Sequence, residues 1–169
     1  SLCTFCSQND ITAEQEILVQ AFTCLTQKTA VAGIISAIQT LLPNAKIIGT
    51  STGSWIAGQR YNAQHTILQF CIFQHSQIKT LLIPQCQEHL SELASLIAQR
   101  LVNDDTRLML LFSSPAIQQA GLLLDELCLL NPDIVLAGGY SSQGSTSEPP
   151  LQFTEHGITG QGIALASIS

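Results

Sequence analysis

Two short segments of the chain share one pattern, and this pattern constrains the fold more than any other feature. In each segment an apolar run ends abruptly in glycines and hydroxyl side chains: residues 46–54 read KIIGTSTGS, and residues 134–142 read IVLAGGYSS. Because the apolar runs lack polar alternation, they predict strands that are buried on both faces. Glycine allows another group to approach its N–H closely, and hydroxyls both donate and accept hydrogen bonds. The two strand ends therefore predict a small-molecule site.

The composition is that of one globular domain spanning residues 1–169. A hydrophobic content of 46% with 11% charged residues is enough for a real core. The net charge is −6, and six Lys and Arg give no basic stripe, so nucleic acid is not expected as a partner. No apolar run approaches the roughly 18 residues of a membrane-spanning helix. We expect a soluble, cytoplasmic protein, and the missing initiator Met indicates an excised or processed piece.

The six cysteines favour a reducing compartment. Cys24, Cys71 and Cys128 lie inside apolar segments, where a free thiol behaves as a small buried hydrophobe. Cys3 and Cys6 have the spacing of half a zinc site or a redox pair, but no second Cys or His pair follows at a matching interval. We interpret residues 1–6 as a frayed terminus, and we expect neither a metal nor a cofactor.

Apolar periodicity predicts alternating strands and helices along the chain. Strands are predicted at 17–22, 46–48, 65–73, 78–83, 107–112, 134–137 and 162–167. Helices are predicted over the apolar positions from Val31 to Leu42, from about Glu88 to Leu101, and from a Ser114 cap to about Leu130. Residues 55–64 are predicted to be irregular, and residues 144–150 to form a loop.

The two halves of the chain can be overlaid. Aligning Pro43 with Pro132 also aligns Gly49 with Gly138, and each pair is 89 positions apart. The same order of elements surrounds both, which predicts an internal duplication of about residues 14–75 and 104–169. The fold class is then α/β with α+β character: a mixed β-sheet with flanking helices, built from two related strand-helix-strand-strand repeats. The two loops would face one crevice.

The motifs at residues 47–54, 136–139 and 156–165 resemble, in this order, the N-terminal region of the FIST sensory domain. The likeness runs from Ile17 to the last strand. It implies a sensory input domain of a bacterial intracellular signal-transduction protein that binds small ligands such as amino acids. It also implies that a C-terminal FIST region and an output domain, both absent from this chain, act as partners. Where the family has an acidic residue after the turn, this chain has Ser54 and Trp55, which leaves the ligand class open.

The predicted ligand is an amino acid or a small carboxylate. Its predicted binding residues are those at the two strand ends: Thr50, Ser51, Thr52, Gly53, Gly138, Gly139, Tyr140, Ser141 and Ser142. Arg60 and Arg107 are the candidate cations for an anionic ligand. The alternative for the hydroxyls is that they close their own loops by bonding to the backbone.

Two other functions compete with the sensor. A hydrolase-like enzyme could use Ser51 or Cys24 as nucleophile with His65 or His156 as base. The sequence lacks the Gly-x-Ser-x-Gly and phosphate-loop motifs, so we expect no catalytic residues. The other alternative is a docking module that binds no ligand, and a homodimer is also compatible with the sequence.

Overall fold

Two β-sheets packed face to face form the centre of the protein in its computed structural model. The structure describes residues 1–57, 60–62, 65–85, 89–117, 120–142 and 148–169, and for residues 55–57 and 60–62 it describes the backbone. In these ranges no helix is long and apolar enough to cross a membrane.

The first half of the chain contains two helices and most of the first sheet. Its elements are α1 (Leu2–Gln8), β1 (Glu16–Thr23), α2 (Lys28–Leu41), β2 (Lys46–Ser51), β3 (Trp55–Ala57), β4 (Arg60–Asn62) and β5 (Thr66–Phe73). The second half follows with β6 (Ile78–Ile83), α3 (Leu90–Leu101), β7 (Leu108–Ser113), α4 (Ala120–Leu130), β8 (Val135–Tyr140), β9 (Gln152–Thr154), β10 (Gly157–Thr159) and β11 (Ile163–Ile168).

The strand pairing is mixed, as predicted. The first sheet has the order β10-β9-β2-β1-β5, and the second has the order β6-β11-β7-β8. In both, the two strands joined through a helix are parallel, β1 with β2 and β7 with β8. The pairings of β5, β6, β9, β10 and β11 are antiparallel. The mixed sheet with flanking helices is therefore confirmed, but where the sequence predicted one sheet the described strands form two large sheets and a separate pair, β3 with β4.

Three apolar clusters hold four layers together. Val31 and Ile38 of α2 pack with Ile47 on the outer face of the first sheet. Leu18 and Ile48 of the first sheet pack with Phe112, Ala164 and Ala166 of the second, which fills the space between the sheets. The third cluster joins α3 and α4 to the outer face of the second sheet. The order of layers is helices, sheet, sheet, helices. This order buries β2 and β11 almost completely, but β8 at the edge of the second sheet stays largely exposed, so its predicted burial on both faces is wrong.

The two halves have the same local topology. The order β2-β1-β5 in one sheet matches β8-β7-β11 in the other, with the same strand directions. Gly49 is the register partner of Ala21 on β1, and Gly138 is the partner of Leu111 on β7. The two glycines therefore occupy equivalent places. The duplication of residues 14–75 and 104–169 that would explain this symmetry stays a prediction.

Several local predictions are wrong. Gly49–Ser51 and Gly138–Tyr140 belong to strands β2 and β8 and do not form loops after them, because the glycines still pair in register with the neighbouring strand. Residues 55–57 and 60–62 form an antiparallel hairpin within the stretch that was predicted to be irregular. Ser114 accepts a hydrogen bond from the Ala116 N–H and closes a turn, and α4 begins only at Ala120 in the described part of the chain.

The N-terminus is a helix and is not frayed. Ser1 caps α1 by accepting from the Thr4 N–H at 3.2 Å. Cys6 is buried in the core beside α2, and the ring of Phe5 lies 5.4 Å from that of Phe70 on β5. These contacts supply the packing that the short, weakly periodic segment 2–8 does not reveal in its sequence. Part of the loop predicted at 144–150 lies outside the described residues.

Candidate functional site

The ends of β2 and β8 meet between the two sheets, so the two predicted strand ends lie together. Thr50 Oγ1 donates to Ser141 Oγ at 2.6 Å. The hydroxyls of Thr52 and Ser142 lie 3.2 Å apart, and Ser142 Oγ also accepts from the Gly53 N–H at 3.0 Å. The Ser142 N–H donates to the Ser51 carbonyl at 3.3 Å. We call this set of contacts, made by residues 50–53 with residues 141 and 142, the sheet junction.

Ser141 joins two other side chains of the protein at the sheet junction. It is 3% exposed, and its oxygen accepts from Thr50 and, at 2.7 Å, from the side-chain amide of Gln152. The same amide nitrogen also donates to the Pro150 carbonyl at 3.0 Å, and the two bonds fix the orientation of the Gln152 side chain. Gln152 is fully buried, and its Oε1 has no partner among the described residues. A buried acceptor that is unpaired among the described residues is a point where water or a ligand could bind. No pattern in the sequence points to Gln152, because this glutamine belongs to no motif.

Ser51 is held differently from Ser141. Its N–H donates to the Leu151 carbonyl at 2.8 Å, and its hydroxyl oxygen accepts from the Leu151 N–H at 2.6 Å. The residue is 1% exposed. Ser51 therefore holds the segment before β9 against the end of β2. This role is structural, but it joins two distant segments and is not the local loop closure of the alternative interpretation.

A cavity of about 260 Å³ lies beside the sheet junction, between the start of α4 and the ends of β7 and β8. Its lining is mostly apolar and consists of Leu111, Ser113, Ala120, Gly121, Leu124, Leu136, Ala137, Gly138, Gly139 and Tyr140. Tyr140 lines the cavity and precedes Ser141 directly, so β8 connects the cavity to the sheet junction.

Glycine keeps this cavity open. Gly138 has φ of +146°, a conformation that L side chains rarely adopt, and an added Cβ would overlap the Leu111 carbonyl. Gly121 and Gly139 are different, because an added Cβ at either position meets nothing within 4 Å. The backbone of β8 is thus bare where it faces the cavity, and Gly121 and Gly139 have room for a side chain.

The FIST N domain family matches residues 17–169 of the 169 residues. The chain belongs to this family. This match confirms the resemblance noted in the sequence. FIST domains are sensory domains of signal-transduction proteins. No curated protein matches the chain. The helix α1 precedes the matched region.

The predicted cations do not both lie near the cavity of this FIST N domain. Arg107 precedes β7, at the opposite end of the strand from Ser113, and donates to the carbonyls of Asp104 and Thr106 at 2.8 and 2.9 Å. The side chain of Arg60 lies outside the described residues. No Lys or Arg is among the described residues that line the cavity. The first residues of α4, Ala120 and Gly121, are there instead, and the first N–H groups of a helix attract negative charge.

The geometry of this FIST N domain gives the enzyme alternative little support. The Ser51 oxygen is occupied by the Leu151 N–H. Burial is the main cause that raises the pKa of Cys24, and a hydrogen bond with the His65 backbone lowers it less, so Cys24 is held as a thiol. His156 is exposed and lies 3.4 Å from Glu155, its neighbour in sequence. Neither Ser51 nor Cys24 is therefore arranged as an activated nucleophile.

Proposed function

We propose that this FIST N domain binds a small organic acid, such as an amino acid with an apolar side chain, in the cavity between α4 and the ends of β7 and β8. The ligand biases an attached output domain of a signal-transduction protein. The observation that carries the proposal is the direct connection between cavity and sheet junction: Gly138, Gly139 and Tyr140 line the cavity, and Ser141 and Ser142 follow immediately.

The lining favours a ligand with one apolar and one acidic part. Leu111, Leu124 and Leu136 present apolar surface, which suits an aliphatic or aromatic group. The ligand carboxylate would lie at the start of α4, where Ala120 and Gly121 line the cavity and helix N–H groups can donate hydrogen bonds to an anion. In the proposal Ser113 and Tyr140 contribute hydroxyls. Thr50, Ser51, Thr52, Gly53, Ser141 and Ser142 do not line the cavity; in the proposal their hydrogen bonds hold the end of β8 in place beside it.

A ligand in this cavity would act through the sheet junction. Contact with Gly139 and Tyr140 favours one position of the end of β8, and that position is tied to β2 through Ser141 and Thr50. The ligand shifts the population only if it binds one arrangement of the two sheets more tightly than the other. The partner regions of the proposal are a C-terminal FIST half and an output domain.

The cellular setting is part of the proposal. Five described cysteines, Cys3, Cys6, Cys24, Cys71 and Cys128, are free thiols, which suits the reducing cytoplasm. We assign the domain to an intracellular protein of bacteria that needs no metal and no cofactor for binding.

A thermal-shift screen against the common amino acids and small carboxylates tests the proposal. A ligand at about 100 times its Kd adds roughly 2.7 kcal/mol, which for this size of domain raises Tm by about 5–10 °C. Gly121→Leu, which places a side chain in the open space at the cavity, should abolish the shift. Gly33→Leu is the matched control, because Gly33 also lies in a helix, also has no atom within 4 Å of an added Cβ, and is on α2.

The outcomes separate clearly. A shift that Gly121→Leu loses and Gly33→Leu keeps supports the cavity as the site. A shift that both variants keep places the ligand elsewhere, and an absence of any shift across the panel contradicts binding of these acids by this domain. Ser51→Ala and Ser141→Ala are poorer probes, since both hydroxyls are buried in structural hydrogen bonds.

A further inference from the structure

The edge of β8 is unpaired, whereas the equivalent edge of β2 is covered. In the first sheet β9 lies antiparallel along the outer edge of β2, and β10 follows it. In the second sheet β8 is the last strand, so no strand among the described residues pairs with its outer edge. Val135 on β8 is 63% exposed and Tyr140 is 56% exposed. An apolar edge strand of this kind is a template for another strand.

The free hydrogen-bonding groups of β8 match those that β9 uses on β2. The Val135 N–H donates to the carbonyl of Arg107, the residue before β7. The Ser141 N–H donates to the carbonyl of Ser113 at the end of β7. Since backbone groups alternate along a strand, those of Leu136, Gly138 and Tyr140 point to the free edge.

The same alternation holds on β2. There the Thr52 N–H donates to β1, and the Ser51 N–H donates to the Leu151 carbonyl on the β9 side. The outward positions of β2 are therefore 47, 49 and 51. Those of β8 are 136, 138 and 140, each 89 residues later, so an added strand would meet the same pattern on β8 that β9 meets on β2.

The side chain that β9 places on β2 has a vacant counterpart on β8. Phe153 is the register partner of Gly49, is fully buried, and covers the glycine so closely that an added Cβ would overlap its ring. It packs in the cluster that joins α2 to the first sheet. The cavity lies at the equivalent place on the other half, beside Gly138 and against α4. The position that Phe153 fills in one half is thus open in the other.

We propose that the edge of β8 binds an extended segment of a partner protein, antiparallel to β8, with an aromatic side chain that enters the cavity beside Gly138. The segment has the chemistry of β9: a central aromatic residue with polar neighbours on both sides, as in Gln152-Phe153-Thr154. Main-chain hydrogen bonds to Leu136, Gly138 and Tyr140 supply affinity, and the cavity selects the aromatic residue. The proposal does not rest on a small ligand, although both would occupy the cavity and would compete for it.

A second copy of this chain fits the edge less well. Pairing two β8 strands about Gly138 uses the whole edge but sets glycine opposite glycine and leaves both cavities unfilled. A shifted pairing that brings Tyr140 opposite Gly138 shortens the paired region to residues 138–140. Each copy also carries a net charge of −6, which opposes close association.

The test uses a capped peptide that copies residues 150–155, titrated into the ¹⁵N-labelled chain and followed by NMR. We expect saturable shifts at the amides of Leu136, Gly138 and Tyr140. Replacing the peptide's Phe with Ala should weaken binding at least about tenfold, because the cavity is then unfilled. Gly121→Leu in the protein should weaken it similarly, and Gly33→Leu should not.

Two N-methylated peptides test the strand geometry. In the protein the backbone of Phe153 faces β2 and that of Thr154 faces β10. A methyl on the nitrogen of the Phe should therefore abolish binding, because this N–H faces the protein strand. A methyl on the nitrogen of the Thr removes an N–H that faces away from the protein, so the Kd should stay within about threefold of that of the parent peptide.

Four results would overturn the proposal. They are shifts confined to β5, β6 or β10, equal binding of the two methylated peptides, no saturable shift at millimolar peptide, and concentration-dependent dimers in sedimentation that bury the β8 edge. The small-molecule proposal is judged separately. Peptide binding with a flat acid screen leaves the strand proposal and contradicts the ligand proposal, and acid binding without peptide binding does the reverse.

Discussion

Thr50 on β2 of the first sheet donates a 2.6 Å hydrogen bond to Ser141, the residue that directly follows β8 of the second sheet. Both side chains are buried, at 5% and 3% exposure. Moving the end of β2 away from the end of β8 would break this buried hydrogen bond and leave the Thr50 hydroxyl only its longer contact, at 3.2 Å, with the Ser51 carbonyl, which is costly in a low-dielectric interior. The wall of the cavity, which Tyr140 forms beside Ser141, is therefore tied to the way in which the two sheets pack.

Ser141→Ala should destabilise the domain by about 1–3 kcal/mol, because the hydroxyl of Thr50 and the amide of Gln152 each lose a buried acceptor. Urea unfolding followed by far-UV circular dichroism measures the change. Ser142→Ala is the control: its hydroxyl is exposed, so the loss should stay within about 0.5 kcal/mol. Equal losses in the two variants would show that the Thr50–Ser141 contact does not anchor the sheets.

The sequence allowed good prediction of elements with strong periodicity. The strand at Ile78–Ile83 and the helix that ends at Leu41 lie where the apolar spacing placed them, because each buries a continuous apolar face. The hairpin of β9 and β10 was missed, since each strand has three residues and Gln152 interrupts the apolar pattern. Three residues carry too little periodicity to distinguish a strand from a loop.

The division into two sheets could not be predicted for a different reason. The division depends on β6 and β11, which pair with each other and not with strands of the first sheet. Paired residues such as Ile83 and Ile163 are about 80 positions apart in the sequence, and pairing at that separation leaves no local signal. The candidate site shows the same limit. The glycines and hydroxyls at residues 50–53 and 138–142 were recognisable by type, whereas Gln152 and the leucines of the cavity depend on long-range packing.

Gly49→Ala should destabilise the domain by about 1–3 kcal/mol, since the new methyl group overlaps the Phe153 ring and lies 2.9 Å from the Ala21 carbonyl. A double-mutant cycle with Phe153→Leu, measured by urea unfolding, should show coupling of about 0.5–3 kcal/mol, because the smaller side chain relieves part of the overlap. Gly139→Ala is the control and should be nearly neutral, as its Cβ meets nothing within 4 Å. Strict additivity in the cycle would mean that Phe153 does not lie over Gly49.

Glu155 joins the two sheets away from Ser141. Its carboxylate accepts from the Ile47 N–H at 2.9 Å and from the Thr80 hydroxyl, and its side chain is 8% exposed. Glu155→Ala should cost about 1–3 kcal/mol by leaving both donors unpaired, and Glu155→Gln should cost less because an acceptor oxygen remains. Thermal unfolding at fixed pH measures both, with the exposed Asp125→Ala as control. Equal loss for the Ala and Gln variants would contradict this account of the hydrogen bonds.

Stability should fall at alkaline pH in part because of Cys6. Burial, helped by the nearby Cys3, raises the pKa of the Cys6 thiol above its ordinary value of 9.0. The unfolded chain ionises this thiol at the ordinary pKa, so above about pH 9 the folded state binds more protons than the unfolded state. The contribution of Cys6 to the free energy of unfolding is therefore full below that pH and is lost as the pH rises through the raised pKa.

Urea midpoints at pH 7 and about pH 10 measure this effect of Cys6. Cys6→Ala should lower the midpoint at pH 7, because it empties part of the core, and should reduce the difference between the two pH values. Cys128→Ala changes an exposed thiol and should keep the difference in urea midpoint that the parent shows between the two pH values. If Cys6→Ala also keeps that difference, another group causes the loss of stability at alkaline pH.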